Sequence, residues 1–262
     1  MSPMPVTHRM PVTRGAPLAQ VKARGTTLAA RSQPVSIRVS AALQAATEAG
    51  PARRLTAAAQ ATWYARHGKA LFDRLLASMV LVLTLPLWVA AAVWVAAVSP
   101  GPLLLGQWRI GRGGRRFRMW KLRTMDCDAE ADGCARFAAP RDHRVIRGGH
   151  RLRAWHLDEL PQLWNVVRGE MALVGPRPER PVFVAFFRGA IPGYAHRHAL
   201  RPGLTGWAQL RLGYCRSLTG ARRKTRLDLA YLARLSWRVD LAVLVRTPWC
   251  VARRALGCGE VS

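Results

Sequence analysis

The longest apolar stretch of the chain runs from Leu75 to Val98, LLASMVLVLTLPLWVAAAVWVAAV, without a single charged residue. An unbroken helix of roughly 20 such residues crosses a bilayer, so the run predicts a membrane segment. Two features redirect that expectation. Pro86 stands near the middle, where it removes a backbone donor and crowds the preceding turn. Both flanks are basic: Arg66, Lys69 and Arg74 lead in, and Arg109, Arg112, Arg115, Arg116, Arg118, Lys121 and Arg123 follow. Lys and Arg collect on the cytosolic side of a membrane segment. Two basic flanks therefore fit a hairpin over residues 72–98 that enters and leaves by one face. Pro86 supplies its turn, and the Thr84 hydroxyl re-satisfies a freed carbonyl. A kinked helix that crosses the bilayer is the alternative.

Shorter patterns surround this run. Ser99-Pro100-Gly101-Pro102 is turn chemistry, and LLLGQWRIG and FRMWKLRTM read as two strands joined by a turn over Gly111–Gly114. Residues 126–150 read as loop. Leu160, Leu163, Trp164 and Val167 recur at helical spacing, which predicts a short amphipathic helix from Asp158 to Gly169 with Pro161 in its first turn. From Asp228 to Gly257 a helical period carries Trp237, Trp249 and several arginines, the pattern of a helix lying in a membrane interface or of an ordinary packing helix. Residues 1–65 are broken by Pro3, Pro5, Pro11, Pro17 and Pro34 and hold few large apolar residues. They read as a disordered basic tail, with a short Ala-rich helix near 40–50, ahead of one catalytic domain over 66–262. The expected class is α/β, mostly helical with a small β-hairpin. No apolar leader opens the chain.

Charge narrows the function classes. The chain has 41 Lys and Arg against 14 Asp and Glu, a net charge of +27. It will seek polyanions: nucleic acid, anionic headgroups or phosphorylated substrates. The 10 tryptophans favour a membrane interface, where an indole suits the boundary between acyl chain and headgroup. A nucleic-acid binder predicts a groove-entering or base-stacking motif, and none occurs. The five cysteines are scattered without a CxxC, which argues against a zinc site or a disulfide framework.

Candidate chemistry lies at Asp158 and Glu159. Adjacent carboxylates at a helix start are often a cap and a dipole partner. Here Arg144, Arg147, Arg151 and Arg153 precede them, and Arg177 follows in the rigid Gly175-Pro176-Arg177-Pro178 loop. In a cationic, membrane-proximal site one carboxylate can attack phosphorus and the other can hold a divalent cation. Arginine is the natural bidentate partner of phosphate oxygens. The acidic residues Asp126, Asp128, Glu130 and Asp132 read as a local charge balance or as a metal loop.

From about Lys69 to Gly257 five blocks follow one another: KALFDRLLA with the proline-broken run, GPLLLGQWRIGRGGRRFRMWKLRTM, DAEADG, LDELPQLWNVVRGEMALVGPRPERP and RPGLTGWAQL. In that order they resemble the bacterial sugar transferase family, the monotopic polyprenyl-phosphate hexose-1-phosphate transferases of exopolysaccharide and O-antigen assembly. The resemblance implies that Asp158 is the nucleophile and that Glu159 is its partner, tied to Mg2+. It implies that Arg153, Arg177 and Arg201 bind substrate phosphates, and that Leu85 and Pro86 form the break of a re-entrant membrane helix. The implied partners are a UDP-sugar, undecaprenyl phosphate and anionic membrane lipids, with no nucleic acid and a homodimer left open. The implied place is the cytosolic face of the bacterial inner membrane. Departures fall between Asp142 and Asp158, where His143, Ile146 and Trp155 replace a proline, a threonine and a small hydroxyl residue. A YG-containing loop near Tyr214 is also irregular. These departures support one rival, a catalytically impaired scaffold of a polysaccharide assembly complex.

Overall fold

The computed structural model describes residues 62–131, 142–212 and 217–256, with two-residue strands at Val21–Lys22 and Cys134–Ala135. The expectations for most of the basic tail, for the helix near 40–50, for Asp132 and for the Tyr214 loop lie outside the described residues.

A π-turn, Tyr64–Gly68, leads into helix α1, Lys69–Val98, of 30 residues. Leucine, valine and alanine dominate it, and it stays helical through Pro86. The turn expected at Pro86 is therefore not a loop: proline deletes one hydrogen bond, and the bonds on either side survive. Thr84 also acts differently from the expectation. Its hydroxyl donates to the Val80 carbonyl at 2.7 Å, not to Val82, whose usual partner Pro86 cannot be. One face of α1 buries Asp73 and Ala77 near its start and Ala91, Ala92 and Val95 near its end. Both ends pack on the same body. Lys69 reaches Asp240, and the Trp94 indole donates to the Arg147 carbonyl at 3.2 Å. The middle of the helix leaves Val82, Leu83, Leu85, Leu87 and Val89 open, and Val93 beyond them, with Leu83 71 % exposed. So continuous an apolar surface needs a non-aqueous neighbour. The helix is long and apolar enough to cross a membrane, and the architecture is compatible with a monotopic membrane protein.

The expected hairpin forms. Strands β1, Leu104–Ile110, and β2, Arg116–Leu122, pair antiparallel from Leu104 with Leu122 to Ile110 with Arg116. Gly113 and Gly114 both take positive φ in the turn, which glycine tolerates best. Phe117 and Met119 alternate onto the inner face and join Ala77, Leu163 and Val166 in the main core.

The helix expected from Asp158 to Gly169 is split. A 3-10 turn, Leu157–Glu159, carries the carboxylates, and a separate helix follows, Gln162–Val167. Pro161 has no N–H to donate to the Leu157 carbonyl, which accepts instead from Leu160 at 3.4 Å, the i to i−3 bond of a 3-10 turn. Numbering the preceding Gly149–Ala154 helix α2 makes this one α3. Gly169, at φ 77°, ends the segment as expected.

Beyond it, β3, Ala172–Val174, pairs in parallel with β4, Gly203–Thr205, an element the hydrophobic pattern did not announce. Helix α4, Pro181–Ala190, and the 3-10 turn Tyr194–Ala199 connect the two strands. Helices α5, Trp207–Leu212, α6, Leu218–Ala233, and α7, Trp237–Ala255, complete the described chain. The Ser217 and Ser236 hydroxyls cap the last two by accepting from Gly220 and Val239. Trp237, Leu241, Val245 and Trp249, four residues apart on α7, form an exposed stripe.

Asp240 ties α7 to the start of α1. It is fully buried and accepts from Lys69 at 2.7 Å and from the Tyr64 and Tyr231 hydroxyls at 2.6 Å each. Removing it leaves a lysine and two hydroxyls short of a partner. Asp240→Ala should therefore cost about 3–5 kcal/mol. Thermal unfolding in detergent would read this as a midpoint lowered by about 10 °C.

Candidate active site

Helix α2 ends at Trp155, and His156 then turns the chain with φ 55°. Among the described residues it is the one non-glycine with positive φ, a strain that clusters at functional sites. The turn delivers Asp158 and Glu159 inward, 6 % and 8 % exposed.

The two carboxylates have opposite surroundings. Glu159 is clamped by Arg177, whose Nη1 donates to Oε2 at 3.2 Å while Nη2 donates to Oε1. His156 Nδ1 lies 3.5 Å from Oε2. Burial alone would raise the Glu159 pKa, but the Arg177 guanidinium and His156 override it and hold the carboxyl well below its ordinary range. Among the described residues Asp158 has no side-chain hydrogen-bond or ion-pair partner. Burial and then the Glu159 charge push its pKa up to about 6, against the opposing pull of Lys121, His156 and Arg153. One carboxylate is thus fixed and ionised, and the other is unpaired and poised near neutrality.

The loop presenting Arg177 is built by close backbone contact. Gly175 donates to the Thr205 carbonyl and Gly203 to the Pro176 carbonyl, each at 2.9 Å. A β-carbon on Gly203 would overlap the Gly175 backbone nitrogen, so only glycine fits. Arg197, buried, donates to the Arg177 carbonyl at 2.9 Å and is held by Asp228 and the Tyr194 hydroxyl. Gln209 Oε1 accepts from Arg177 Nη1 at 3.4 Å.

The predicted residues gather unevenly. Arg177 meets Glu159 directly, and Arg153, in the last turn of α2, acts on Asp158 through its charge. Arg144, by contrast, is paired with Asp142 at 2.6 Å. Arg201 has Arg112, Arg74 and Asp73 as its charged neighbours rather than the carboxylate pair. Leu85 and Pro86 lie on the exposed face of α1. Ile146, one of the departures, is buried with Ala91, Val95 and Leu122, and so packs the end of α1 onto the body. In the acidic loop, Glu130 holds Arg180 through contacts of 2.6 and 2.8 Å, a local charge balance.

Two cations that the sequence marked only as part of the basic flank also belong to this site. Lys121 and Arg109 lie on the inward face of the hairpin. Desolvation lowers the Lys121 pKa to about 8, with the Arg109 charge adding to the effect and the Asp158 charge opposing it. Desolvation likewise lowers Arg109 to about 10. The signal was present in the alternation: Phe117, Met119 and Lys121 share one face of β2, so a lysine sits where the pattern asks for an apolar residue.

A divalent cation has two carboxylates here, and no cluster of three or more potential ligands occurs among the described residues. A divalent cation held by so few carboxylates completes its shell with water and substrate phosphates.

Residues 64–254 match the family model described as bacterial sugar transferase. An Aeromonas hydrophila UDP-N-acetylgalactosamine-undecaprenyl-phosphate N-acetylgalactosaminephosphotransferase is 43 % identical over 164 residues, covering 63 % of this chain and 38 % of that protein. A Caulobacter vibrioides UDP-glucose:undecaprenyl-phosphate glucose-1-phosphate transferase is 42 % identical over 166 residues, covering 63 % and 62 %. An Escherichia coli transferase of the same description is 38 % identical over 162 residues, covering 61 % and 35 %. The chain thus spans less than two thirds of the length of each of these curated relatives.

The raised Asp158 pKa has a stability consequence. A buried neutral Asp158 contributes stability that is fully present below about pH 4 and is lost as pH rises through the folded value near 6. At pH 7.5 the ionised group therefore opposes folding by about 2–3 kcal/mol. Asp158→Asn should raise the unfolding midpoint by about 5–10 °C at pH 7.5, with the gain vanishing near pH 4. A midpoint difference independent of pH would contradict the desolvated carboxylate.

Proposed function

Because this chain belongs to the bacterial sugar transferase family, we propose that it transfers a sugar 1-phosphate from a UDP-sugar to undecaprenyl phosphate, with release of UMP. This reaction would open the synthesis of an exopolysaccharide or lipopolysaccharide repeat unit. One observation carries the mechanism: a buried, unpaired Asp158 facing Lys121 and Arg153, beside a Glu159 already neutralised by Arg177.

Two displacements at one phosphorus follow from that arrangement. An Asp158 oxygen attacks the β-phosphorus of the donor. The bond from that phosphorus to the bridging oxygen breaks, and the oxygen leaves with UMP. The phosphosugar is then carried on Asp158 as an acyl phosphate. An oxygen of the lipid phosphate attacks the same phosphorus, forms the polyprenyl diphosphate sugar and restores the carboxylate. Both transition states spread negative charge over the phosphoryl oxygens, so the protein's task is placement and charge stabilisation. Lys121, Arg153 and Arg177 supply fixed positive charge. Arg201, which does not share their neighbours, is assigned to the donor's approach. Glu159 would hold Mg2+ together with the donor diphosphate, and the ion would offset phosphate charge there.

The second substrate is a membrane lipid, so the site belongs at headgroup level. We assign α1 as a re-entrant helix whose two ends face the cytosol, with Leu85 and Pro86 at its deepest point. Support comes from the packing of both ends on one body and from the apolar face between them. The α7 stripe from Trp237 to Trp249, with Arg238, Arg246 and Arg253 on the same helix, is assigned to anionic headgroups of the inner membrane.

Purified protein incubated with UDP-sugars and no acceptor should release UMP and retain a phosphosugar on Asp158, seen as a mass increment on its peptide. Asp158→Asn should lower turnover by about 10³-fold or more. Turnover without any adduct would replace the covalent route by a single displacement. The pH profile of kcat/KM should rise through about 6 as Asp158 ionises and fall above about 8 as Lys121 loses its proton.

Topology gives a separate check. In a cysteine-free background, single cysteines replacing Thr62 and Arg112 should both react with an impermeant thiol reagent from the cytosolic side of inverted vesicles. Labelling of the two from opposite sides would rule out re-entry.

A further inference from the structure

Asn165 has no exposed surface, lies seven residues after Asp158 and carries no obvious chemistry of its own. Every polar atom of its side chain is nevertheless engaged across elements. Its Oδ1 accepts from the Trp120 N–H at 3.1 Å. Its Nδ2 donates to the Arg118 carbonyl at 2.8 Å and to Glu170 Oε2 at 2.7 Å. Its main-chain carbonyl accepts from the Glu170 and Met171 N–H groups at 2.9 and 3.2 Å.

Arg118 and Trp120 turn their backbone groups toward the edge of β2 that β1 does not cover. The Asn165 amide meets them with one acceptor and one donor, as a residue of a third strand would. The residue that follows Trp120 is Lys121. The side chain that completes this edge also belongs to α3, the helix that begins three residues after Glu159. One amide therefore joins the backbone behind the carboxylate pair to the backbone that carries the opposing ammonium.

We propose that Asn165 is a positioning residue for the transfer reaction: by completing the open edge of β2 it fixes Lys121 against Asp158. The proposal rests on the function assigned above. Alanine at 165 leaves a buried N–H and a buried carbonyl without partners at the register of Lys121, and the strand edge is then free to shift. Asn165 touches no substrate in this account. Its effect passes through Lys121, so it should disappear when Lys121 is removed.

A double-substitution cycle tests this. Asn165→Ala should lower kcat/KM for UMP release about tenfold or more in the otherwise unchanged chain, and less than about twofold in a Lys121→Met background. Equal losses in both backgrounds, or no loss in the first, would overturn the proposal. Amine labelling followed by mass spectrometry gives a readout independent of turnover. Asn165→Ala should speed modification of Lys121 relative to Lys69 and Lys224, and an unchanged ratio would also overturn it. If Asn165→Ala does not fold, Asn165→Asp keeps the oxygen that accepts from Trp120 and loses the donation to Arg118, and the same two measurements apply. If the unsubstituted chain releases UMP from no UDP-sugar, the assigned function fails, while the labelling ratio still decides whether Asn165 holds Lys121.

Discussion

Two backbones meet at Gly175 and Gly203 with no room for a β-carbon, and the position of the cationic loop follows from that contact. The strand after α3 and the strand before α5 can run side by side only because glycine stands at both crossings. Their pairing aims the Gly175–Pro178 loop, and the loop aims Arg177 at Glu159. The reach is long: Arg177 lies 18 residues from Glu159, and Gly203 lies a further helix and turn away. A single tight approach thus turns two distant segments into one wall of the site.

The second constraint is electrostatic. Two adjacent carboxylates below the surface cannot both be left without partners, because each charge loses hydration on burial. The structure resolves this asymmetrically. Arg177 takes Glu159 in a fork of two contacts, and the Glu159 charge then adds to the desolvation of Asp158. Around them Arg109, Lys121 and Arg153 leave an excess of positive charge. In an isolated protein such an excess is costly, and in a site that receives a diphosphate it is the complement of the ligand. The Lys121 pKa near 8 shows the same tension from the cationic side.

Helix α1 is packed directly against the elements that build this site. Its inner face is held at one end by the Lys69–Asp240 contact and at the other by Ala91, Ala92 and Val95 against Leu122 and Ile146. Leu122 directly follows Lys121, so the apolar helix packs beside the strand that carries Lys121. Arg123, buried, donates to the Ser99 and Pro100 carbonyls and so fixes the exit of the helix to the same strand. Arg123, Leu122 and Lys121 thus tie the long apolar helix to the site within three residues.

The sequence by itself determined the long apolar helix, the β-hairpin, the carboxylate pair and Arg177. Each of these is a local pattern: an uncharged run, an alternation about a glycine turn, a pair of adjacent acids, a proline-stiffened loop. The blocks that resemble the family were equally visible, because short motifs survive in linear order. Tertiary structure decided what depends on distant segments. It split the expected helix at Pro161, placed Asp158 and Glu159 in different electrostatic surroundings, and kept α1 helical through Pro86. It paired the strand at Ala172 with the strand at Gly203, which three-residue segments cannot announce by periodicity. It also set Arg201 beside Arg74 and Arg112 and brought Lys121 to Asp158. Charge acts through space with a strength set by burial, and neither separation nor burial of residues far apart along the chain is written in local order.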